Sequence, residues 1–280
     1  MRCLVFSLFF LLAMTVPTTS LSAVHDNIDK DSLRIVQDIE FIWQSKFTKE
    51  EKIKTRKWVR TVAVQSQKLL GKYPFKLRFF ITRKEQNYGP LVGCYAKFGE
   101  SVRGVYLGID PRYPEEDFMK SWKTPHEISH LALPALGKQN AWFFEGFATY
   151  MSRQILAKMG YYTTEELNDF YLQQFASIKD DFNKKGTFVE VIRPMIFYHN
   201  YTSFYWGGAS YFYQADKILK KEHHTNLCKV VREYQKEKRL NDTNILMVIK
   251  SWDSLVGSDV FSKLMRRYRN TEASDVMKGY

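Results

Sequence analysis

The five residues from His126 to His130, HEISH, constrain the fold of this 280-residue chain more than any other segment. On an α-helix of about 3.6 residues per turn, residues i and i+4 project from the same face. His126 and His130 then present two imidazoles one turn apart, a spacing that suits two ligands of one zinc ion. Glu127 is placed to take a proton from a zinc-activated water. Because H-E-x-x-H is short enough to arise by chance, the pattern predicts a catalytic zinc only if a third ligand exists.

The third ligand is predicted to be Glu145. A proline and a glycine between residues 131 and 140 predict that the first helix ends there, and a second helix is predicted from about residue 140 to Gly160. Two antiparallel helices joined in this way can bring Glu145 against the two histidines. Its aromatic neighbours predict burial, and a buried carboxylate needs a cation. The residues therefore predict one zinc ion per chain, held by His126, His130 and Glu145.

This arrangement resembles a known family. HEISH followed by W-x-x-E-G-x-A-x-Y at residues 142–150 is similar to the gluzincin zinc metallopeptidases, especially peptidase MA-like and aminopeptidase N-like catalytic domains. The resemblance implies an α+β, thermolysin-like domain with a small N-terminal sheet and helix lobe and a mostly helical C-terminal lobe. It also implies hydrolysis of peptide bonds by a zinc-activated water, with Glu127 as general base. The fourteen residues between His130 and Glu145 are fewer than is usual in aminopeptidase N or thermolysin.

The same resemblance implies a tyrosine that stabilises the oxyanion formed during attack, and Tyr205 in Y-W-G-G matches it. A phenol placed opposite zinc can donate to the carbonyl oxygen as negative charge develops there. Tyr201 and His199 are alternatives, and the segment is so rich in aromatic residues that Tyr205 could equally be a core residue. No acidic G-x-M-E-N segment precedes the zinc motif, so the choice between endopeptidase and aminopeptidase stays open.

Outside the motif, hydrophobic periodicity predicts helices over residues 29–45 and 48–70, the second with a Thr48 and Glu51 capping box and a stop at Gly71. Period-two alternation predicts strands near 75–82 and 103–110, separated by a polar loop. Thr124 and Pro125 are predicted to open the zinc helix. The resemblance implies that part of 92–109 pairs with an extended substrate. Further helices are predicted over 163–184, 203–222, 225–239, 243–252 and 258–269, with 186–201 irregular or strand-like.

The first 23 residues are predicted to be a signal peptide. A positive start precedes an apolar run of thirteen residues from Leu4 to Val16, which is too short to span a bilayer comfortably, and small residues follow. The mature protein is then residues 24–280, a single catalytic domain, secreted or periplasmic and without a transmembrane segment. Cys94 and Cys228 remain after cleavage and could form a disulfide or stay as two free thiols.

The net charge of +12 is spread along the chain. No nucleic-acid-binding motif or concentrated basic block accompanies it, so we expect electrostatic contact with anionic envelope surfaces rather than nucleic acid. The predicted partner is a peptide or protein substrate. The alternative functions are a zinc-binding pseudoenzyme and an envelope-binding protein without peptidase activity.

Overall fold

The computed structural model describes residues 39–86, 89–99 and 103–280. The predicted signal peptide and most of the predicted helix 29–45 lie outside these residues. The described chain is α+β, as predicted: a four-stranded sheet is followed by a mostly helical remainder. The strands are β1 (Ile39–Trp43), β2 (Leu77–Arg83), β3 (Leu91–Lys97) and β4 (Gly104–Ile109), in the spatial order β1-β2-β4-β3.

The first strand corrects a prediction. Residues 39–43 were predicted to be helical but form β1, which pairs in parallel with β2 from Ile39 opposite Leu77 to Trp43 opposite Ile81. A run as short as IEFIW fits a helix or a strand equally well, because hydrophobic periodicity separates the two only over longer windows. The pairing with β2, 38 residues further along the chain, decides the outcome.

The helix predicted over 48–70 is confirmed as α1 (Lys49–Leu70). The Thr48 side chain accepts from the Glu51 N–H, and the Glu51 carboxylate accepts from the Thr48 N–H, so the predicted capping box is present. Gly71 follows the last residue with φ of 88°, a conformation that favours glycine. This helix connects β1 to the parallel β2 and buries Trp58, Val59 and Val62 in the same core as the sheet.

The predicted alternation in β2 and β4 is confirmed. Leu77, Phe79 and Ile81 are buried, and Phe79 and Ile81 pair with Val105 and Leu107 of the parallel β4. The polar loop predicted between them is partly wrong, since residues 91–97 form β3, antiparallel to β4 at the edge of the sheet. The strand that immediately precedes the zinc motif is thus internal, and the edge belongs to β3.

Helices make up the rest of the chain. The zinc motif lies in α3 (Lys123–His130), which begins at Lys123 rather than Thr124, so that Pro125 occupies the third helical position. The 186–201 segment contains the short helix α6 (Phe188–Ile192) and a 3₁₀ turn (Arg193–Ile196), not a strand. The helices are α2 (Glu115–Lys120), α3 (Lys123–His130), α4 (Ala141–Lys158), α5 (Thr164–Ile178), α6 (Phe188–Ile192), α7 (Tyr201–Glu222), α8 (Leu227–Glu237), α9 (Ile245–Val256), α10 (Val260–Asn270) and α11 (Ala273–Met277).

The structure also bears on membrane-spanning segments and on the two cysteines. No helix in the described ranges is both long and apolar enough to cross a membrane. Cys94 and Cys228 are free thiols, so the structure takes the second of the two alternatives for the cysteines.

Candidate metal centre

The zinc helix α3 places both predicted histidine ligands on one buried face. His126 and His130 are each 3% exposed, and their Nε2 atoms lie 3.0 Å and 3.3 Å from the same carboxylate oxygen, Oε2 of Glu145. The rings meet edge to face with centroids 4.7 Å apart. The i, i+4 spacing therefore places both imidazoles on one face of the helix, as the sequence predicts.

Glu145 reaches this position because the chain reverses between α3 and α4. Leu131, Ala132 and Leu133 are fully buried after the last turn of α3, and Gly137 adopts φ of 74° at the turn. A 3₁₀ turn at Lys138–Asn140 then leads directly into α4. Glu145 falls on the second turn of that helix, where its side chain is 23% exposed.

The charges of the cluster reinforce one another. Burial by itself raises the pKa of Glu145, but the charge of His130 and hydrogen bonds with both histidines hold the pKa well below its usual value. Burial lowers the pKa of His130, and the Glu145 carboxylate more than offsets this, so that the net direction is upward. The Glu145 carboxylate is consequently ionised at neutral pH, the form that can bind a cation.

The three side chains fit a zinc ion by chemistry and by spacing. Two imidazole nitrogens and one carboxylate oxygen are a ligand set found in catalytic zinc sites. Ligand atoms at zinc bond lengths in a tetrahedron lie roughly 3.3 Å apart, and here all three lie within 4.8 Å of one another. The Nδ1 atoms of His126 and His130 are buried without a hydrogen-bond partner in the described ranges, so the acidic or carbonyl groups expected to orient them are not seen there.

Glu127 faces the edge of the sheet. One oxygen of its carboxylate accepts a hydrogen bond of 2.8 Å from the backbone N–H of Ala96 in β3. The Cys94 thiol, two residues earlier on the same strand, also hydrogen-bonds Glu127; burial and then the Glu127 charge raise the pKa of this thiol well above its usual value. The predicted general base is thus held between the zinc helix and the edge strand.

Tyr205, on α7, lies beside His126. Its ring centroid is 5.8 Å from that of His126, and burial, followed by the charges of Glu145 and Glu127, raises its pKa far above the usual tyrosine value. The phenol is therefore protonated and able to donate a hydrogen bond. Of the two alternatives, the His199 Nδ1 and the Tyr201 hydroxyl lie 2.8 Å apart and bond each other, and the Tyr201 ring is 6.4 Å from that of Tyr205.

Two aromatic residues that the sequence analysis did not single out complete the walls. Phe144 stacks on His130 with ring centroids 4.2 Å apart, and Trp122 meets His126 edge-on at 5.3 Å. Both could have been found from the sequence. Trp122 is four residues, about one helical turn, before His126, and Phe144 is the residue next to Glu145. The contact with Ala96 could not, because a backbone N–H carries no sequence signal.

No family model and no curated protein matches the sequence. An M1 zinc metallopeptidase from Deinococcus radiodurans has a similar structure, with a TM-score of 0.49, 13% sequence identity, and coverage of 82% of this chain and 48% of that chain. A mutant form from the same organism, bound to a Tyr-Ser-Ala substrate, gives a TM-score of 0.48, 14% identity, and coverage of 82% and 48%.

The chain spans about half the length of these structural neighbours. At so low a sequence identity, these structures do not identify a family for this chain. What the centre can do therefore follows from its own geometry.

Proposed function

We propose that this protein is an exported, zinc-dependent metallopeptidase of the gluzincin type. The observation that carries the proposal is the convergence of His126 Nε2 and His130 Nε2 on Glu145 Oε2, with Glu127 on the same helix beside them. A structural zinc site is usually closed by four protein ligands, whereas three protein ligands with one open position are typical of catalytic zinc. In the described ranges, no fourth His, Cys, Asp or Glu joins this cluster.

Each residue has a definite task in peptide hydrolysis. His126, His130 and Glu145 would hold a zinc ion, which would supply Lewis acidity to polarise the scissile carbonyl and to lower the pKa of a water toward neutrality. Glu127 accepts the proton of the attacking water and then delivers it to the leaving amine. Tyr205, protonated and beside His126, donates to the carbonyl oxygen as its negative charge grows.

The substrate is proposed to be a peptide in extended conformation. β3 is an edge strand, and edge strands recognise peptides by adding a further strand. The Ala96 N–H donates to Glu127, so the open side of β3 faces the catalytic carboxylate. A peptide laid along this edge would meet Glu127 and the metal ligands together.

Export follows from the signal peptide predicted over residues 1–23, and the proposed location is secreted or periplasmic. The mature residues 24–280 would then act as one catalytic domain. The net charge of +12 favours contact with anionic envelope surfaces and would concentrate the enzyme there.

The test is cleavage of a diverse peptide library, read by mass spectrometry. The mature wild-type protein, Glu127→Gln and Glu116→Gln would be loaded with zinc and their metal content measured first. Glu116 is a matched control because it is an exposed carboxylate whose partner is Lys120 on the same helix. Cuts made by wild type and Glu116→Gln, and absent with Glu127→Gln at equal zinc content, support the proposal.

Other results would refute the role of Glu127 or favour one of the alternative functions. Cleavage by Glu127→Gln at the wild-type rate would refute its role as general base. Zinc binding without any cleavage favours the pseudoenzyme, and absence of zinc binding favours the envelope-binding protein. N-acetylated copies of the library separate the two peptidase modes, because only an endopeptidase cuts them as well as the free peptides.

A further inference from the structure

A cavity of about 450 Å³ lies between the segment that enters β2 and the C-terminal end of α8. It is lined by residues 72–76 and by Gln235 and Lys236, and we call it the Phe75 pocket. One lining residue contacts the zinc helix, since Tyr73 donates to the Ile128 carbonyl. Arg239, whose guanidinium lies over the ring of the lining residue Phe75, donates to the Leu131 carbonyl. None of its residues takes part in the proposed peptidase chemistry.

The charge around the Phe75 pocket is predominantly positive. Lys72, Lys76 and Lys236 line it, while Arg103 and Arg239 place their guanidinium carbons 5.1 Å and 5.7 Å from the centre of the Phe75 ring. Two of the lysines form ion pairs with carboxylates. The Lys76 Nζ lies 3.3 Å from the Glu40 Oε2, and the Lys236 Nζ lies 2.8 Å from the Glu233 Oε1. Neither carboxylate forms an ion pair with the two arginines.

Arg239 is a buried cation without a carboxylate partner. The residue is 3% exposed, its Nε donates to the Leu131 carbonyl at 3.0 Å, and no carboxylate of the described ranges lies within ion-pair distance. Burial, with a contribution from the charge of Arg103, lowers the pKa of Arg239 to about 10, although Asp242 acts in the opposite direction at longer range. Burying an uncompensated charge is unfavourable, and an incoming anion would offset that cost.

The guanidinium groups of both arginines lie over the Phe75 ring. A guanidinium that stacks on an aromatic ring uses its face, and its N–H groups at the edge stay available for paired hydrogen bonds to carboxylate or phosphate oxygens. The side chain of Gln235 is buried, with the residue 1% exposed, and its Nε2 donates a hydrogen bond to the Leu70 carbonyl. Its Oε1 has no hydrogen-bond partner in the described ranges. That oxygen suits a ligand that also carries a donor, such as the hydroxyl of hydrogen phosphate.

We propose that the Phe75 pocket is a binding site for an oxyanion, a phosphate group or a carboxylate, held by Arg103 and Arg239 beside the Phe75 ring. The site is separate from the metal centre. Its occupancy needs neither zinc nor peptidase activity.

The test is isothermal titration calorimetry of the mature protein at pH 7 and constant ionic strength, with inorganic phosphate, sulfate and acetate as three separate probes. Saturable one-site binding of at least one probe is expected. Acetate alone would identify a carboxylate site, and phosphate, with or without sulfate, a phosphate site. Phosphate binding tighter than sulfate would indicate that Gln235 accepts from a ligand hydroxyl.

Two variants with the same change in net charge provide the control. Arg103→Gln, in the half-buried stack on Phe75, should weaken binding at least tenfold. Arg266→Gln, on the exposed face of α10 beside Asp259, should leave it unchanged. Arg103 is chosen over Arg239 because loss of the buried Arg239 would also remove its bond to Leu131. Equal weakening by both variants, or no saturable heat with any probe, would overturn the proposal.

Discussion

Gly146 of α4 and Gly208 of α7 touch backbone to backbone. A Cβ added to Gly146 would lie 2.2 Å from the carbonyl carbon of Gly208, and one added to Gly208 would lie 2.1 Å from the carbonyl oxygen of Trp142. This crossing packs α4, which carries Glu145, directly against α7, which carries Tyr205. The separation of the two helices therefore depends on the absence of a Cβ at both glycines.

The first prediction concerns this crossing. Gly208→Ala should lower the free energy of unfolding by about 3 kcal/mol or more, at the upper end of the usual cost of overpacking, because the obstruction is rigid backbone. Urea unfolding followed by circular dichroism measures it. Gly279→Ala is the control, since no atom lies within 4 Å of the added Cβ. Equal stability of the two variants would show that the helices do not cross this closely.

The second prediction concerns the metal ligands. His126→Ala and Glu145→Gln should weaken zinc binding by roughly 100-fold or more, because removal of a residue that only orients a ligand already costs 10–100-fold. Zinc content after dialysis, measured by mass spectrometry, gives the result without any assay of activity. His224→Ala, at an exposed position outside the cluster, should keep the wild-type content. Full zinc content in Glu145→Gln would remove it from the ligand set.

The third prediction separates Tyr205 from its neighbour. Tyr205→Phe should lower kcat by about 10² to 10³, the usual effect of losing one oxyanion donor, with unchanged zinc content. Tyr201→Phe, which removes a hydroxyl bonded to His199, should have a much smaller effect. Steady-state kinetics on a peptide identified in the library screen measures both. A larger loss in Tyr201→Phe would reverse the assignment.

The fourth prediction concerns the cysteines. Both thiols should react with an alkylating reagent when the mature protein is denatured without reductant, because the structure contains no bond between them. Both should react slowly in the folded state, since burial raises the pKa of Cys228 to about 12 and that of Cys94 also lies well above its usual value. Mass spectrometry counts the labels. An unlabelled denatured protein would indicate a disulfide.

The fifth prediction concerns pH and the start of α1. Burial by itself would raise the pKa of Glu51, but the Thr48 N–H and the Arg83 guanidinium hold it below its usual value. The unfolded chain has the higher pKa, about 4.3, so the stabilisation is present above that pH and is lost as the pH falls through the folded-state pKa. Glu51→Gln should cost about 1 to 2 kcal/mol at pH 7, measured by urea unfolding, and this cost should shrink as the pH falls below the unfolded-state pKa toward the folded-state pKa. A cost independent of pH would contradict this account.

The extent to which the fold was predictable differs from element to element. α1 was predicted almost to the residue, because Thr48, Glu51 and Gly71 are local signals whose effects lie within one turn of them. β1 and β3 were missed because their pairing is not local. The register of β3 shifts between Leu91 and Gly93, which breaks the alternation that marks a strand, and only pairing with β4 makes it one.

The sequence alone determined the candidate metal cluster of this protein. Spacing on a helix fixes His126 against His130, and a turn followed by a second helix returns Glu145 to them, so local geometry is sufficient. The tertiary structure decided which groups surround the cluster. Ala96, Cys94 and Tyr205 approach it through the sheet edge and the Gly146 and Gly208 crossing, and Arg103 meets Arg239 over Phe75 from distant parts of the chain. Such contacts depend on packing between elements, and no pattern within one element encodes them.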